Sequence, residues 1–331
     1  MARDHPRTSV NSTVWQAVSF QTISGTGAVH LGALFLSRFY PRSSGQPVYF
    51  SSPTWANHNQ IFSNVSLPTK TYPYFSAETK GLDFDGLKTT LEAAPEGSII
   101  LLHACAHNPT GVDPTRDQWI EITKIMKAKK HFPFFDCAYQ GFASGDLTND
   151  AWAVQYFVTQ GFELCIAHSF AKNFGLYGER AGAFHFVTCP GPTASETVNR
   201  VASQLAILQR SEISNPPLYG ARIASLVLND SALFSEWEAN LRTMAGRIID
   251  MRKTLRSKLE ELNGKPESWK HITDQIGMFS FTGLTEKQCL RIREDAHVYM
   301  TKNGRISMAG LNTSNVDYVA AAINNVVKET Q

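Results

Sequence analysis

The chain has 331 residues, 43% hydrophobic and 18% charged, with a net charge of +2 from 31 Lys and Arg against 29 Asp and Glu. That composition is globular and long enough for a substantial core and more than one domain. No basic block points to nucleic acid, and no apolar run reaches the ~18 residues that a membrane helix needs. Five widely spaced cysteines, Cys105, Cys137, Cys165, Cys189 and Cys289, are odd in number. They read as small buried thiols of a reducing compartment and not as a disulfide framework. Met1 to His5 has no leader character, so the Asn11-Ser12-Thr13 sequon carries little weight.

Residues 1–18 are polar, after which Val18 to Ile23 alternates like a strand. Ser24-Gly25-Thr26-Gly27-Ala28 then forms a Gly-rich turn ahead of a helix from Val29 to Tyr40. Strand, turn and helix in that order aim free backbone N–H groups at an anion, although a mere tight connection looks the same. Pro47 to Ser51 is the next strand, and Trp55 at its end either stacks on a flat ligand or belongs to the core. Thr71 to Phe84 is turn-rich and aromatic, and Leu87 to Ala94 is a short helix. Ser98 to Leu102 is an apolar strand running into His103-Ala104-Cys105-Ala106-His107-Asn108-Pro109-Thr110-Gly111. Alternating His103, Cys105 and His107 offer a weak zinc reading; a polar strand end followed by an Asn-Pro-Thr-Gly turn fits better. Pro114 to Lys130 is an amphipathic helix, and Phe132 to Phe135 is a buried strand ending in Asp136. A carboxylate there is costly unless it caps a turn or is paired.

Asp150 to Gln160 is helical, and Leu164 to Ala167 reads as a buried parallel strand. It delivers Ser169-Phe170-Ala171-Lys172-Asn173-Phe174-Gly175-Leu176-Tyr177-Gly178-Glu179-Arg180 at the strand's carboxyl end, where open α/β sheets place ligands. Lys172 is either a solvated surface lysine or, with its pKa lowered by desolvation or a nearby cation, an amine able to form a Schiff base. Arg180 is placed to supply that charge and to hold a phosphate. Ala181 to Val187 is another strand, Ala194 to Gln209 a helix that Arg210 to Pro217 ends, and Glu236 to Leu262 one long amphipathic helix. Asp274 to Phe281 reads as a strand, Thr285 to Ala296 as a helix, Val298 to Met300 and Arg305 to Met308 as a hairpin about Asn303-Gly304, and Val316 to Lys328 as the last helix.

The stretch from Ser169 to Arg180 resembles the cofactor-lysine segment of aspartate aminotransferases, pyridoxal 5′-phosphate enzymes of fold type I. The resemblance runs from about Ser19 to the C-terminus and is nearest the fungal cytosolic branch. It implies an α/β fold with a mostly parallel seven-stranded sheet flanked by helices. Residues 1–240 would form the large cofactor-binding domain and 241–331 a smaller C-terminal α+β domain. It further implies that Ser24, Gly25, Thr26 and Arg180 hold the phosphate end, that Ser169 also binds the cofactor, and that Trp55 stacks on the pyridine ring. Asp136 would pair with the ring nitrogen, Asn108 and Tyr139 would reach the phenolic oxygen, and Lys172 would carry the cofactor and move the proton. Arg305, in Gly304-Arg305-Ile306-Ser307-Met308-Ala309-Gly310-Leu311-Asn312, would clamp the substrate α-carboxylate. Arg210 would cross a homodimer interface to bind the side-chain carboxylate. By its residue type alone Arg210 is a helix C-terminal charge.

The resemblance thus implies a ping-pong transamination among L-aspartate, L-glutamate, 2-oxoglutarate and oxaloacetate in a cytoplasmic homodimer, with no metal, nucleic acid or membrane involved. His168 stands where related sequences often carry glutamine. Family members begin roughly 80 residues earlier, so an arm that embraces the partner and part of the small domain are expected to be missing. That bears on dimer stability and activity. Two other readings follow: an aromatic or kynurenine aminotransferase, and a non-catalytic chain of the same fold acting by association.

Overall fold

The computed structural model describes residues 16–41 and 45–329; Met1 to His5 and the Asn11 sequon lie outside the described residues. In chain order the elements begin β1 (Ala17–Ile23), α1 (Ser24–Phe39), β2 (Val48–Ser52), α2 (Asn57–Asn64), β3 (Thr69–Pro73), β4 (Phe75–Ser76), β5 (Gly81–Leu82) and α3 (Phe84–Ala93). They continue β6 (Ile99–His103), α4 (Arg116–Ala128), β7 (Phe132–Cys137), α5 (Leu147–Asp150), α6 (Trp152–Thr159), β8 (Leu164–Ser169), β9 (Ala181–Val187) and α7 (Ala194–Ile213). The C-terminal part is α8 (Leu218–Asn229), α9 (Ser231–Asn263), α10 (His271–Asp274), β10 (Phe279–Phe281), α11 (Glu286–Ala296), β11 (Arg305–Ser307) and α12 (Val316–Lys328).

Seven strands form one sheet in the order β1-β9-β8-β7-β6-β2-β3. The pairs β8–β7, β7–β6, β6–β2 and β2–β3 are parallel, and β9 is antiparallel to both its neighbours. The mostly parallel seven-stranded α/β fold expected from the sequence is therefore the observed one. β6 and β7 are buried at every residue, as strands covered on both faces must be, which is why they read as unbroken apolar runs. One face packs under α1 through Ala28, Val29, Leu36, Phe134 and Phe184. The other packs under α3, α4 and α6 through Leu91, Ile122, Phe135 and Phe157. A separate apolar cluster joins α9, α11 and α12 through Leu241, Leu255, Ile292 and Ile323.

Several local expectations change. The Gly-rich turn is the first turn of α1, which starts directly at Ser24. β3 overlaps the start of the stretch read as turns, because as an edge strand it buries only Tyr72 and shows little apolar pattern. The long helix starts at Ser231, where Asp230 caps it by accepting from the backbone of Ala232 and Leu233. α7 runs on through Arg210 to Ile213. The helical stretch before the lysine strand splits in two at Ala151.

Asp274 to Phe281 holds only the three-residue β10, because α10 ends at Asp274 and Gly277 turns at φ 80°. Arg305–Ser307 pairs with β10 and not with Val298 to Met300, the register setting Phe281 opposite Arg305. The Asn303-Gly304 turn itself forms, with Thr301 N–H donating to the Arg305 carbonyl at 3.2 Å. Of the cysteines, Cys189 is exposed on its turn, and the other four are buried thiols.

Helix α1 sits close on the sheet because position 32 has no side chain. A Cβ there would lie 2.6 Å from both Phe134 Cζ and Phe184 Cε2. Gly32→Ala is expected to destabilise the fold by about 1–3 kcal/mol through overpacking, measurable by denaturant unfolding.

Candidate active site

Strands β2, β6, β7 and β8 are parallel, and two successive antiparallel pairings turn β1 back to the same sense. Their carboxyl ends therefore meet at one edge, where the sheet opens a cavity of about 330 Å³. Its walls include Ser24, Gly25, Thr26, Trp55, Asn108, Asp136, Tyr139, Ser169, Lys172, Arg180 and Arg305. Every candidate named from the sequence is there except Arg210, which lies exposed in the last turn of α7 with its guanidinium on Ser214 Oγ. Reading the sequence missed Thr54, His58, Tyr177 and Phe279.

Asp136 sits within β7, beside His103 of β6 and Ala167 of β8. His58, in the first turn of α2, donates from Nε2 to Asp136 Oδ2 at 3.2 Å. A single donor direction then satisfies each group behind it. Thr54 Oγ1 meets His58 Nδ1 at 2.9 Å, His103 Nε2 meets Thr54 Oγ1 at 3.1 Å, and the Asn108 backbone N–H donates to His103 Nδ1 at 3.4 Å. Burial drives the His103 imidazole down to about 3, so it is neutral and can both donate and accept. This buried chain accounts for His103. His107, another of the three residues in the zinc reading, is held by Ser51 Oγ and Thr110 Oγ1, each at 2.8 Å. No cluster of metal-ligating side chains occurs among the described residues. Burial raises the Asp136 carboxyl, but the hydrogen bond from His58 and the fields of His58, His103 and Lys172 outweigh it, and the group stays below its ordinary value.

Lys172 follows β8 in a turn-rich loop, its Nζ 5.1 Å from the Tyr139 ring centroid. Burial lowers its pKa, Asp136 opposes that, and Arg180 adds to it, with a net downward shift. Burial also raises the Tyr139 phenol, as do Asp136 and Tyr177, so its hydroxyl remains a donor. Arg305 reaches in from β11, donating from Nη1 to Asn108 Oδ1 at 3.2 Å, with its Cζ 4.5 Å from the Phe279 ring centroid.

The residues present fit pyridoxal 5′-phosphate. Helix α1 has no side-chain cap at its N-terminus, so its first N–H groups and dipole face the cavity as an anion cradle. The cradle is tight, since a Cβ on Gly25 would lie 2.9 Å from Ser169 Cβ. Ser24 and Ser169 meet Oγ to Oγ at 3.2 Å, and the Arg180 carbonyl accepts from Ser24 N–H at 3.0 Å. An ionised carboxylate suits a cationic ring nitrogen, an indole suits a ring face, and a desolvated amine suits an aldehyde carbon.

A lysine with a lowered folded pKa binds fewer protons folded than unfolded between that pKa and 10.5. Its contribution to stability therefore rises with pH across that window. Lys172→Met should stabilise the cofactor-free chain most at neutral pH, with the gain shrinking toward pH ~10.5. Denaturant unfolding at a series of pH values checks this.

The family model "Aminotransferase class I and II" matches residues 9–323. The chain is 52% identical over 314 residues to the cytoplasmic aspartate aminotransferase of Schizosaccharomyces pombe, covering 95% of this chain and 76% of that one. It is 53% identical over 310 residues to the mitochondrial aspartate aminotransferase of Arabidopsis thaliana, covering 94% and 70%. The solved structure of the aspartate aminotransferase from Saccharomyces cerevisiae cytoplasm superposes with a TM-score of 0.90 at 47% identity, covering 95% of this chain and 76% of that one.

Proposed function

We propose the working of this site from one premise: the chain belongs to the class I and II aminotransferases. It is a transaminase that uses pyridoxal 5′-phosphate. We assign it the transfer of the amino group of L-aspartate to 2-oxoglutarate, giving oxaloacetate and L-glutamate. The observation that carries this is the meeting of Lys172, Asp136, Asn108, Arg180 and Arg305 in one cavity of a chain about half identical to aspartate aminotransferases.

The cofactor supplies an aldehyde for the amino group and a ring that takes up the electron pair left when the substrate Cα–H bond breaks. The chain supplies the rest. The first turn of α1, Ser24, Ser169 and Arg180 would hold the phosphate, and Trp55 would stack on the ring. Asp136, fixed by His58, would keep the ring nitrogen's proton in place, and Asn108 and Tyr139 would donate to the phenolic oxygen. Lys172, next to the ring site and with its pKa lowered by burial, would take the proton from the substrate Cα and later return it. Arg305 binds the α-carboxylate, for which its planar fork is suited.

Arg210 lies outside the cavity, so this reading gives it to the site of a second copy in a homodimer. The exposed apolar side chains Ile207 on α7 and Leu218, Tyr219 and Leu226 on α8 support a covered surface on these helices. We keep the division of the chain near residue 240 because, Phe142 apart, the buried members of the second apolar cluster run from Leu241 onward. A cytoplasmic location is our reading from the fungal relatives; the Arabidopsis relative of similar identity is mitochondrial. No helix among the described residues is long and apolar enough to cross a membrane.

Purified chain incubated with pyridoxal 5′-phosphate should gain a visible absorption band that Lys172→Ala lacks, and aspartate should discharge it. A band that aspartate leaves unchanged would sink the substrate assignment. Arg210→Ala should lower kcat/KM for aspartate about 10–150-fold and leave phenylalanine nearly unaffected, since a charge-assisted pair contributes about 1.5–3 kcal/mol. Equal losses for the two substrates would count against the assigned role.

A further inference from the structure

Helix α9 packs an otherwise apolar stripe, Leu241, Ala245, Ile248, Met251, Leu255 and Leu259, into the C-terminal cluster. In the middle of that stripe stands Arg252, only 2% exposed. No carboxylate pairs with it among the described residues, its Nε has no hydrogen-bond partner, and burial pulls its pKa down to about 10. A buried guanidinium without a counterion is costly, and an apolar residue would fill the place at less cost. What only arginine gives is reach. Nη1 donates to the Ile272 carbonyl at 2.7 Å, and Nη2 donates to the carbonyls of Gly277, at 3.0 Å, and Phe279. One rigid fork thus ties three points of the chain between α10 and β10 to helix α9.

That segment leads into the cavity. Phe279 carries the ring that stacks on Arg305, and β10 pairs with the strand that bears Arg305. On its other side the segment docks on the turn that follows Asn108. The Ile276 N–H donates to the Gly111 carbonyl at 2.8 Å, and a Cβ on Gly111 would lie 2.8 Å from the Phe279 carbonyl oxygen. Asn108 in turn accepts from Arg305. The order of contact is Arg252, the Phe279 backbone, the Phe279 ring, then Arg305.

We propose that Arg252 is a positioning residue that sets the substrate-carboxylate clamp: it holds Phe279, and through Phe279 the Arg305 guanidinium, at the angle a carboxylate requires. The clamp role of Arg305 rests on the function proposed above; the positioning of Arg305 by Arg252 does not.

The test uses the cofactor-loaded chain with Arg252→Lys, whose three donors radiate from one atom and cannot span the three carbonyls, and with Phe279→Leu, which removes the ring alone. Crystal structures of each variant and calorimetric binding of succinate, a dicarboxylate that does not react, are the readouts. In Arg252→Lys the Phe279 ring should leave Arg305 and the bond from Arg305 to Asn108 should break. Succinate should bind roughly tenfold more weakly in either variant, since misplacement by about 1 Å can cost up to a hundredfold. The double variant should lose no more than the worse single one, because both act through one link. The absorbance of the bound cofactor should not change. A variant that melts earlier yet keeps Phe279, Arg305 and succinate affinity as in the parent overturns the proposal and leaves Arg252 a structural residue. Should Arg252→Lys not fold, Phe279→Leu decides: unchanged succinate binding refutes the link, and weakened binding supports it. If the parent itself binds no dicarboxylate, the proposed function fails, while the crystallographic positions still decide this inference.

Discussion

A carboxylate kept ionised inside a buried strand is the constraint on which this site depends. Asp136 has sheet on both sides, and from the helix layer His58 Nε2 donates to its Oδ2. That hydrogen bond ties the first turn of α2 to β7. The polar chain behind it, through Thr54 and His103 to the Asn108 backbone, then fixes the loops after β2 and β6. Removing any member leaves a buried donor or acceptor unpaired, which costs more than a typical hydrogen bond contributes. The charge that would make a bound ring an electron sink and the network that shapes the cavity are therefore one arrangement.

The sheet explains why these groups meet at all. Five strands end at one edge, and each supplies one or two groups: Ser24 after β1, Trp55 after β2, Asn108 after β6, Asp136 in β7, and Ser169 and Lys172 at and after β8. Rigid elements position the α1 N-terminus and the carboxylate, and the amine follows shortly after one of them, β8. Arg305 differs, coming from a three-residue strand of the C-terminal part whose only sheet partner among the described residues is β10. It is fittingly the group whose placement draws on a buried arginine and a stacked ring.

The buried strands and the lysine loop were legible in the sequence because their signals are local: unbroken apolar runs, and a lysine among aromatic and glycine residues. Arg305 and Arg210 looked ordinary as residues, and only the resemblance singled them out. The partner of Asp136 was harder to see. His58 lies 78 positions away and belongs to the site only once β2 and β7 are in the same sheet. His103 suggested a metal ligand because alternation in a strand shows which face a residue shares but not what stands opposite. β3 and the partner of β11 were missed for a related reason: edge and three-residue strands are specified by their neighbours more than by their own pattern. Arg252 gave no signal, since an arginine in a long amphipathic helix normally faces water.

The central claim is that Asp136, held by His58, keeps a positive charge on the bound ring. The most direct test is the 15N chemical shift of the ring nitrogen in the chain loaded with 15N-labelled pyridoxal 5′-phosphate. The account predicts a protonated ring nitrogen at neutral and mildly alkaline pH, and its loss in Asp136→Asn. A neutral-pyridine shift in the parent chain at neutral pH would contradict it.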